Sequence, residues 1–353
     1  MKGATDMAAV EPGPSPERLA ARAVRVARRE AERFALETVA ATAYEHYGAV
    51  RDWARRMSET SGEIASLTEP ERRTIAALSH LWDAAPETIA TLRHWCEPIS
   101  GVRAVDYDDP AGDLIARLRR DLAVLRKQLG QDLLVPEPQA LGGFGYLRAG
   151  ERYNADTLKH FHLLAALQDA AVLPEFRRTT GRRIVWEIGG GWGGFAYQFK
   201  TLCPDVTYLI TGVPDLFLLS AVYLMTVYPG VRWRLFDPEA PDEVWREWER
   251  VDFVFAPESA LPVLRPPRVD LTVDVLTLRH MSDERVSAHV HRAFEFGSRY
   301  FYSVLPGGDA RDDTRRVWRA IEQRYWPHPM PARGEPGRAP DWAHLVGWRR
   351  LLA

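Results

Sequence analysis

The chain has 353 residues, of which 46% are hydrophobic and 27% charged, with a formal net charge of −2. It is long enough for a sizeable core and two domains, lacks the basic excess of a nucleic-acid scaffold, and holds no run of about 18 apolar residues to span a membrane. Cys96 and Cys203 make neither a disulfide framework nor a zinc site, and no metal-ligand spacing is visible.

Residues 1–16 are small, polar and proline-containing, without an apolar h-region, and read as a disordered tail on a cytoplasmic protein. Residues 17–139 read as a helical domain. Glu17 to Met57 carries Leu19, Val24, Ala27, Phe34, Val39 and Tyr44 at near-helical spacing. Thr68-Glu69-Pro70-Glu71 is a helix start, with a cap residue and then Pro and Glu in the first turn. Another helix follows Pro86 through Leu92 to Trp95, and both cysteines fall in expected helices. Asp113 to Leu129 is amphipathic, with Leu114, Leu118, Leu122 and Leu125 on one stripe. Nothing before residue 140 suggests chemistry by itself. The segment is expected to cap a catalytic core or to join two copies as a homodimer.

Residues 140–353 have a different texture. Gly142-Gly143-Phe144-Gly145 opens a loop, and Tyr153-Asn154-Ala155-Asp156-Thr157 precedes a helix through Leu167. Strands are expected at Ile184–Ile188, Thr207–Thr211, Val251–Phe255, Val269–Leu276, Tyr300–Leu305 and His344–Leu351. Helices are expected at Gly193–Leu202, Pro214–Tyr228, Ser282–Phe296 and Asp313–Tyr325, and Trp245 and Trp248 fall in a charged helix. Such alternation implies a doubly wound, largely parallel sheet with helices on both faces. Sites of these folds lie beyond the carboxyl ends of the strands. That rule selects Glu187–Gly194, Gly212–Asp215, Ala256–Ser259 and Thr277–Met281.

In Glu187-Ile188-Gly189-Gly190-Gly191-Trp192-Gly193-Gly194 a buried strand breaks into glycines and resumes as a helix, which makes a cofactor cradle. Two patterns fit. Gly189-x-Gly191-x-x-Gly194 satisfies the dinucleotide fingerprint. Glu187-x-Gly189-x-Gly191-x-Gly193 equally satisfies the loop of S-adenosylmethionine (SAM) methyltransferases. A carboxylate at the strand end would repel a pyrophosphate, whereas a ligand with an ammonium and a sulfonium has no such conflict. Glu187 therefore favours SAM over NAD.

Several separated segments resemble the sugar O-methyltransferase family of class I SAM-dependent enzymes. They are the glycine loop, Tyr208-Leu209-Ile210-Thr211-Gly212-Val213-Pro214-Asp215 with its leucine-rich helix, the Gly142–Gly145 and Tyr153–Leu158 segments, and Leu278-Arg279-His280-Met281. The resemblance covers roughly residues 140–305. It implies a Rossmann-like, seven-stranded class I methyltransferase core that methylates a sugar or glycoside; the charge balance and the lack of a long apolar run argue against a nucleic-acid or membrane partner. Two positions depart from the family pattern. Gly212 stands where an acid would hold the ribose, which passes that role to Asp215 or the backbone. His280 stands where an acid before the methionine is usual.

Methyl transfer to a hydroxyl needs alignment, worth about 7–11 kcal/mol, and a general base, worth about 10²–10⁴-fold. His280 is the first candidate base, beside Arg279; Asp156 is another, although it also reads as a helix cap. Tyr153, Asn154 and His160 are candidate acceptor contacts. For the cofactor, Glu187 would bind the ammonium, and Gly189, Gly191 and Gly193 would allow backbone approach. Trp192 would face the sulfonium, Asp215 the ribose, and Pro257 and Glu258 the adenine, while Asp274 would reach the amine. A methyltransferase-fold protein with non-methylating chemistry and an NAD-dependent oxidoreductase or epimerase remain the alternatives.

Overall fold

The computed structural model describes residues 16–61, 66–109, 112–129, 132–178, 181–307, 311–331 and 342–350. The expected tail lies outside them except for Pro16, which begins the first helix. Five helices come first: α1 Pro16–Ser61, α2 Glu69–Ala77, α3 Pro86–Ala90, α4 Glu97–Ser100 and α5 Asp113–Leu129. A small hairpin, β1 Tyr146–Arg148 and β2 Glu151–Tyr153, leads into α6 Ala155–Asp169 and α7 Val172–Arg178.

The alternating part runs β3 Arg183–Ile188, α8 Gly194–Leu202, β4 Val206–Gly212, α9 Phe217–Val227, β5 Trp233–Leu235, β6 Phe253–Pro257 and β7 Leu271–Val275. It continues with α10 Asp283–Glu295, β8 Tyr300–Pro306, α11 Arg311–Glu322, β9 Tyr325–Met330 and β10 Trp342–Arg349. These strands form one sheet in the order β5-β6-β4-β3-β7-β8-β10-β9. Every pair is parallel except those of β10, which runs antiparallel to both β8 and β9. The expected α/β core is therefore present, with β5 as an eighth strand at one edge.

Alternation along β3 sends side chains to both faces. Trp186 stacks on His289 of α10 at 6.2 Å, and Tyr208 of β4 meets Phe199 of α8 at 6.0 Å from the other side. Helices thus cover both faces, which explains why the central strands are continuous apolar runs rather than alternating ones.

The helical segment packs directly on this core. Ala43, Tyr47, Val50, Trp53, Ala54 and Met57 of α1 are buried in a hydrophobic cluster that also contains the sheet. The Trp53 indole donates to the Phe236 carbonyl at 2.7 Å, and its ring meets Phe217 at 5.2 Å. Ala43, Tyr47, Val50, Ala54 and Met57, spaced four, three, four and three residues apart, form one helix stripe. The stripe expected through Tyr44 lies beside it, and Tyr44 is exposed; the Leu19–Phe34 side chains lie outside the described ones. The α5 stripe agrees with expectation, with Leu118, Leu122 and Leu125 buried.

Other differences are local. The helix after Pro86 breaks into α3, a 3-10 turn at Leu92–Cys96 and α4. Cys203 caps the end of α8 rather than lying inside it, and Trp245 and Trp248 sit in two short 3-10 turns. The helix expected to Tyr325 stops at Glu322, because Tyr325 already pairs with Arg349 in the sheet. No helix among the described residues is long and apolar enough to cross a membrane.

Candidate functional site

A cavity of about 280 Å³ opens at the carboxyl ends of β3, β4, β6 and β7. Its floor is Glu187, Gly189, Gly190, Gly191, Trp192 and Gly194, and Gly212 and Val213 continue it past β4. Glu258 borders it after β6, and Val275 to Thr277 with Arg279 to Met281 border it after β7. Lys159 and His160 reach it from α6. Pro70, Glu71, Thr74 and Ile75 of α2 and Pro98, Ile99 and Ser100 of α4 close the remaining wall. Nothing before residue 140 suggests chemistry by itself in the sequence, yet these two helices supply part of the wall.

The loop is built around close backbone approach. Gly189 has φ +90°, and a Cβ there would overlap the Thr277 side chain; at Gly190, φ +62°, a Cβ would overlap Ile210. Both positions need glycine for conformation and for space. Gly212 has a related cause. A Cβ there would stand 3.1 Å from the Gly189 carbonyl oxygen. The acid that the resemblance leads one to expect at this position is absent where the loop approaches β4.

Glu187 is 2% exposed, and the Tyr208 hydroxyl donates to its Oε2 at 2.8 Å. Burial pushes its carboxyl up to about 8; the Tyr208 hydrogen bond opposes this and the nearby Asp274 adds to it. Among the described residues no cation pairs with it. His280 is half-buried, and burial first and then the Arg279 charge lower its pKa, so it is neutral at neutral pH. The turn carrying it is pinned from three sides. Asp274 Oδ1 accepts from the Thr277 and Leu278 amides at 2.9 and 3.0 Å. The Thr68 hydroxyl donates to the His280 carbonyl at 2.7 Å, and Arg316 of α11 donates to the Arg279 carbonyl at 3.1 Å.

Arg285 of α10 ties the wall together. It donates to both oxygens of Glu71, at 2.9 and 2.7 Å, and to both of Glu258, at 2.9 and 2.6 Å. Helix α2 buries none of its own residues; this bridge and the Thr68 contact hold it, with Leu67 and Leu78 buried at its two ends.

Of the residues singled out in the sequence, the cavity gathers Glu187, Gly189, Gly191, Trp192, Glu258, His160, Arg279 and His280. The others are placed elsewhere. Asp156 is fully buried and takes Arg93 Nη2 at 2.5 Å and Lys159 Nζ at 2.9 Å. Lys159 and Arg93 hold its carboxyl at about 2 against the cost of burial, so it cannot serve as a base. Asn154 caps α6 through the Thr157 amide and donates to Glu137 and to the Phe144 carbonyl. Tyr153 is buried with its hydroxyl on Glu151. Neither lines the cavity.

Asp215 accepts the Trp82 indole N–H at 3.1 Å and faces the helical segment rather than a ribose. Pro257 is buried at the end of β6. Asp274 spends its second oxygen on Ser303 at 2.7 Å and shapes the turn instead of reaching a ligand amine. Gly193 has φ +92° and is the N-cap of α8. Trp192 lies under the Arg93 guanidinium, 3.8 Å from its centroid, so its partner is a protein cation. His160 packs against Trp192 and Phe195, and burial holds it neutral, with a pKa near 3.

No family model and no curated protein matches the chain. Solved structures do. One is human N-acetylserotonin methyltransferase in complex with SAM, at 11% identity over 77% of this chain and 66% of that one, with a TM-score of 0.36. A second is the N-methyltransferase NodS from Bradyrhizobium japonicum in complex with S-adenosyl-L-homocysteine, at 13% identity over 64% and 98%, with a TM-score of 0.33. A third is spermidine synthase from Thermotoga maritima, at 12% identity over 51% and 58%, with a TM-score of 0.32. The fold is Rossmann-like, of the class I methyltransferase type. The strand order carries that statement, with β3 and β4 central and the reversed β10 between β8 and β9. Fold alone does not fix the reaction.

Proposed function

We propose that the chain is a SAM-dependent O-methyltransferase acting on a sugar hydroxyl or a glycosylated metabolite. The observation that carries the cofactor is Glu187, a buried carboxyl group beside the glycine loop with a hydroxyl for a partner and, among the described residues, no cation. A buried carboxylate without a counter-ion is costly, and a ligand ammonium supplies the missing charge. The backbone of Gly189 to Gly191 offers the close approach that the rest of the ligand needs. The residues present therefore fit SAM, and they fit a pyrophosphate poorly. The sugar acceptor follows from the family resemblance of the segments between residues 140 and 305.

Bound SAM would supply an electrophilic methyl group on a sulfonium. Glu187 would hold its ammonium, and Glu258 lies at the strand end suited to the adenine side. His280 is neutral, stands on a turn fixed by Asp274, Thr68 and Arg316, and takes the acceptor's hydroxyl proton on an imidazole nitrogen. The methylated oxygen then leaves uncharged. Replacing His280 by Ala is expected to lower kcat by about 10²–10⁴-fold with SAM affinity unchanged. Calorimetric titration with SAM, S-adenosylhomocysteine (SAH) and NAD tests the cofactor. Tight NAD binding without SAM binding would sink the proposal, as would a His280→Ala enzyme of undiminished turnover for its catalytic part.

A further inference from the structure

We propose that the acceptor at this site carries an anionic group, a carboxylate or a phosphate, seated on Arg279 and Lys159. The inference rests on the methyltransferase reading above and names its substrate class. The charges around the cavity divide unevenly. Glu71 and Glu258 share the single guanidinium of Arg285, and Glu187 is reserved for the cofactor's ammonium. The neighbouring guanidiniums are also spent. Arg93 pairs with Glu137 and Asp156, and Arg316 pairs with Asp283 and donates to the Arg279 carbonyl.

Arg279 differs from all of these. It lines the cavity, and among the described residues its guanidinium makes no ion pair and no hydrogen bond. Lys159 reaches the same cavity from α6, 14% exposed, and its ammonium bonds Asp156 at 2.9 Å, leaving two of three N–H donors unspent. Arg93 and Lys159 are balanced by Glu137 and Asp156, so what Lys159 brings to the cavity is its two unspent donors. A neutral sugar would strip water from these cations and return only weak hydrogen bonds. A carboxylate or phosphate offers the bidentate geometry that a guanidinium matches, together with full charge.

An anion on Arg279 also acts on the chemistry. Arg279 lowers the proton affinity of His280. Its neutralisation by the acceptor makes His280 a better acceptor of the hydroxyl proton, so that recognition and catalysis are coupled.

The test uses the full chain loaded with SAH and titrated with glucuronate, glucose 6-phosphate and glucose. At least one anionic sugar is expected to bind tenfold or more tighter than glucose, and the two show whether carboxylate or phosphate is preferred. Arg279→Ala should remove the preference with SAH affinity unchanged, and Arg279→Lys should keep part of it. Equal binding of the three sugars, or binding of none, overturns the proposal. So does an Arg279→Ala variant with weakened SAH affinity, which would assign the guanidinium to the cofactor's carboxylate. Failure of SAH to bind the unaltered chain overturns the methyltransferase reading itself.

Discussion

Replacing Glu187 by Gln separates cofactor binding from stability. Its carboxyl ionises at about 8 in the folded chain against an ordinary 4.5. A carboxyl whose folded value is raised costs nothing while it is protonated in both states. The penalty grows as pH rises above 4.5 and levels off above 8. At pH 7 the chain is two and a half units past 4.5, which at 1.36 kcal/mol per unit costs about 3 kcal/mol. Gln keeps an oxygen for the Tyr208 hydroxyl and has no charge to bury. Glu187→Gln should therefore stabilise the ligand-free chain by about 3 kcal/mol at pH 7 and leave it unchanged near pH 4. The same burial links SAM binding to a proton. Below pH 8 the carboxyl must ionise to meet an ammonium, so affinity should rise by up to about tenfold per unit toward pH 8, where the ligand's own amine begins to titrate. Urea unfolding at pH 4 and 7 reads the first effect, and calorimetry in buffers of different ionisation heat reads the released proton. Identical pH–stability profiles for the two chains would refute the account, as would undiminished SAM binding by the variant.

Two further substitutions probe what holds the site. Asp156→Asn leaves Arg93, which is 0% exposed, with Glu137 alone and Lys159 with no carboxylate, and should cost about 3–5 kcal/mol by chemical denaturation. Because the folded carboxyl is depressed to about 2, its contribution is present above pH 4 and should vanish in the wild type as pH falls through 2. Arg285→Ala leaves Glu71 and Glu258 unpaired and undocks α2. Amide exchange over residues 68–77 should quicken more than tenfold while β3 and β4 stay protected; uniform exchange would show that α2 does not depend on the bridge.

The central sheet was legible because β3 and β4 are unbroken apolar runs and the loop between them spells its conformation in glycine. β9 was not, since Pro327 and Pro329 contradict a strand pattern. They are tolerated because β9 is the sheet's last strand, with β10 its one partner. β5, the opposite edge, has three residues and too little sequence to show a period. The stripe on α1 was misplaced by one residue at Tyr44, because alanine at 43 and 54 gives the true face little apolar signal.

The wall of the site was illegible for a deeper reason. Periodicity finds elements that bury apolar side chains, and α2 buries none of its own. Besides Leu67 and Leu78 at its ends, what ties it over the cavity is Glu71 on Arg285, 214 residues away, and Thr68 on the His280 carbonyl, 212 residues away. Asp156 was misread for the same cause. Its place in the sequence makes it a helix-start carboxylate and a candidate base, whereas its charge is taken by Lys159, three residues on, and by Arg93, 63 residues earlier. Ion pairs of this range leave no local mark, because either partner alone looks like an ordinary surface residue. The feature that survives is the unpaired one. Among the described residues that line the cavity, Glu187 pairs with no cation and Arg279 with no anion, and those are the charges that the proposed cofactor and acceptor would complete.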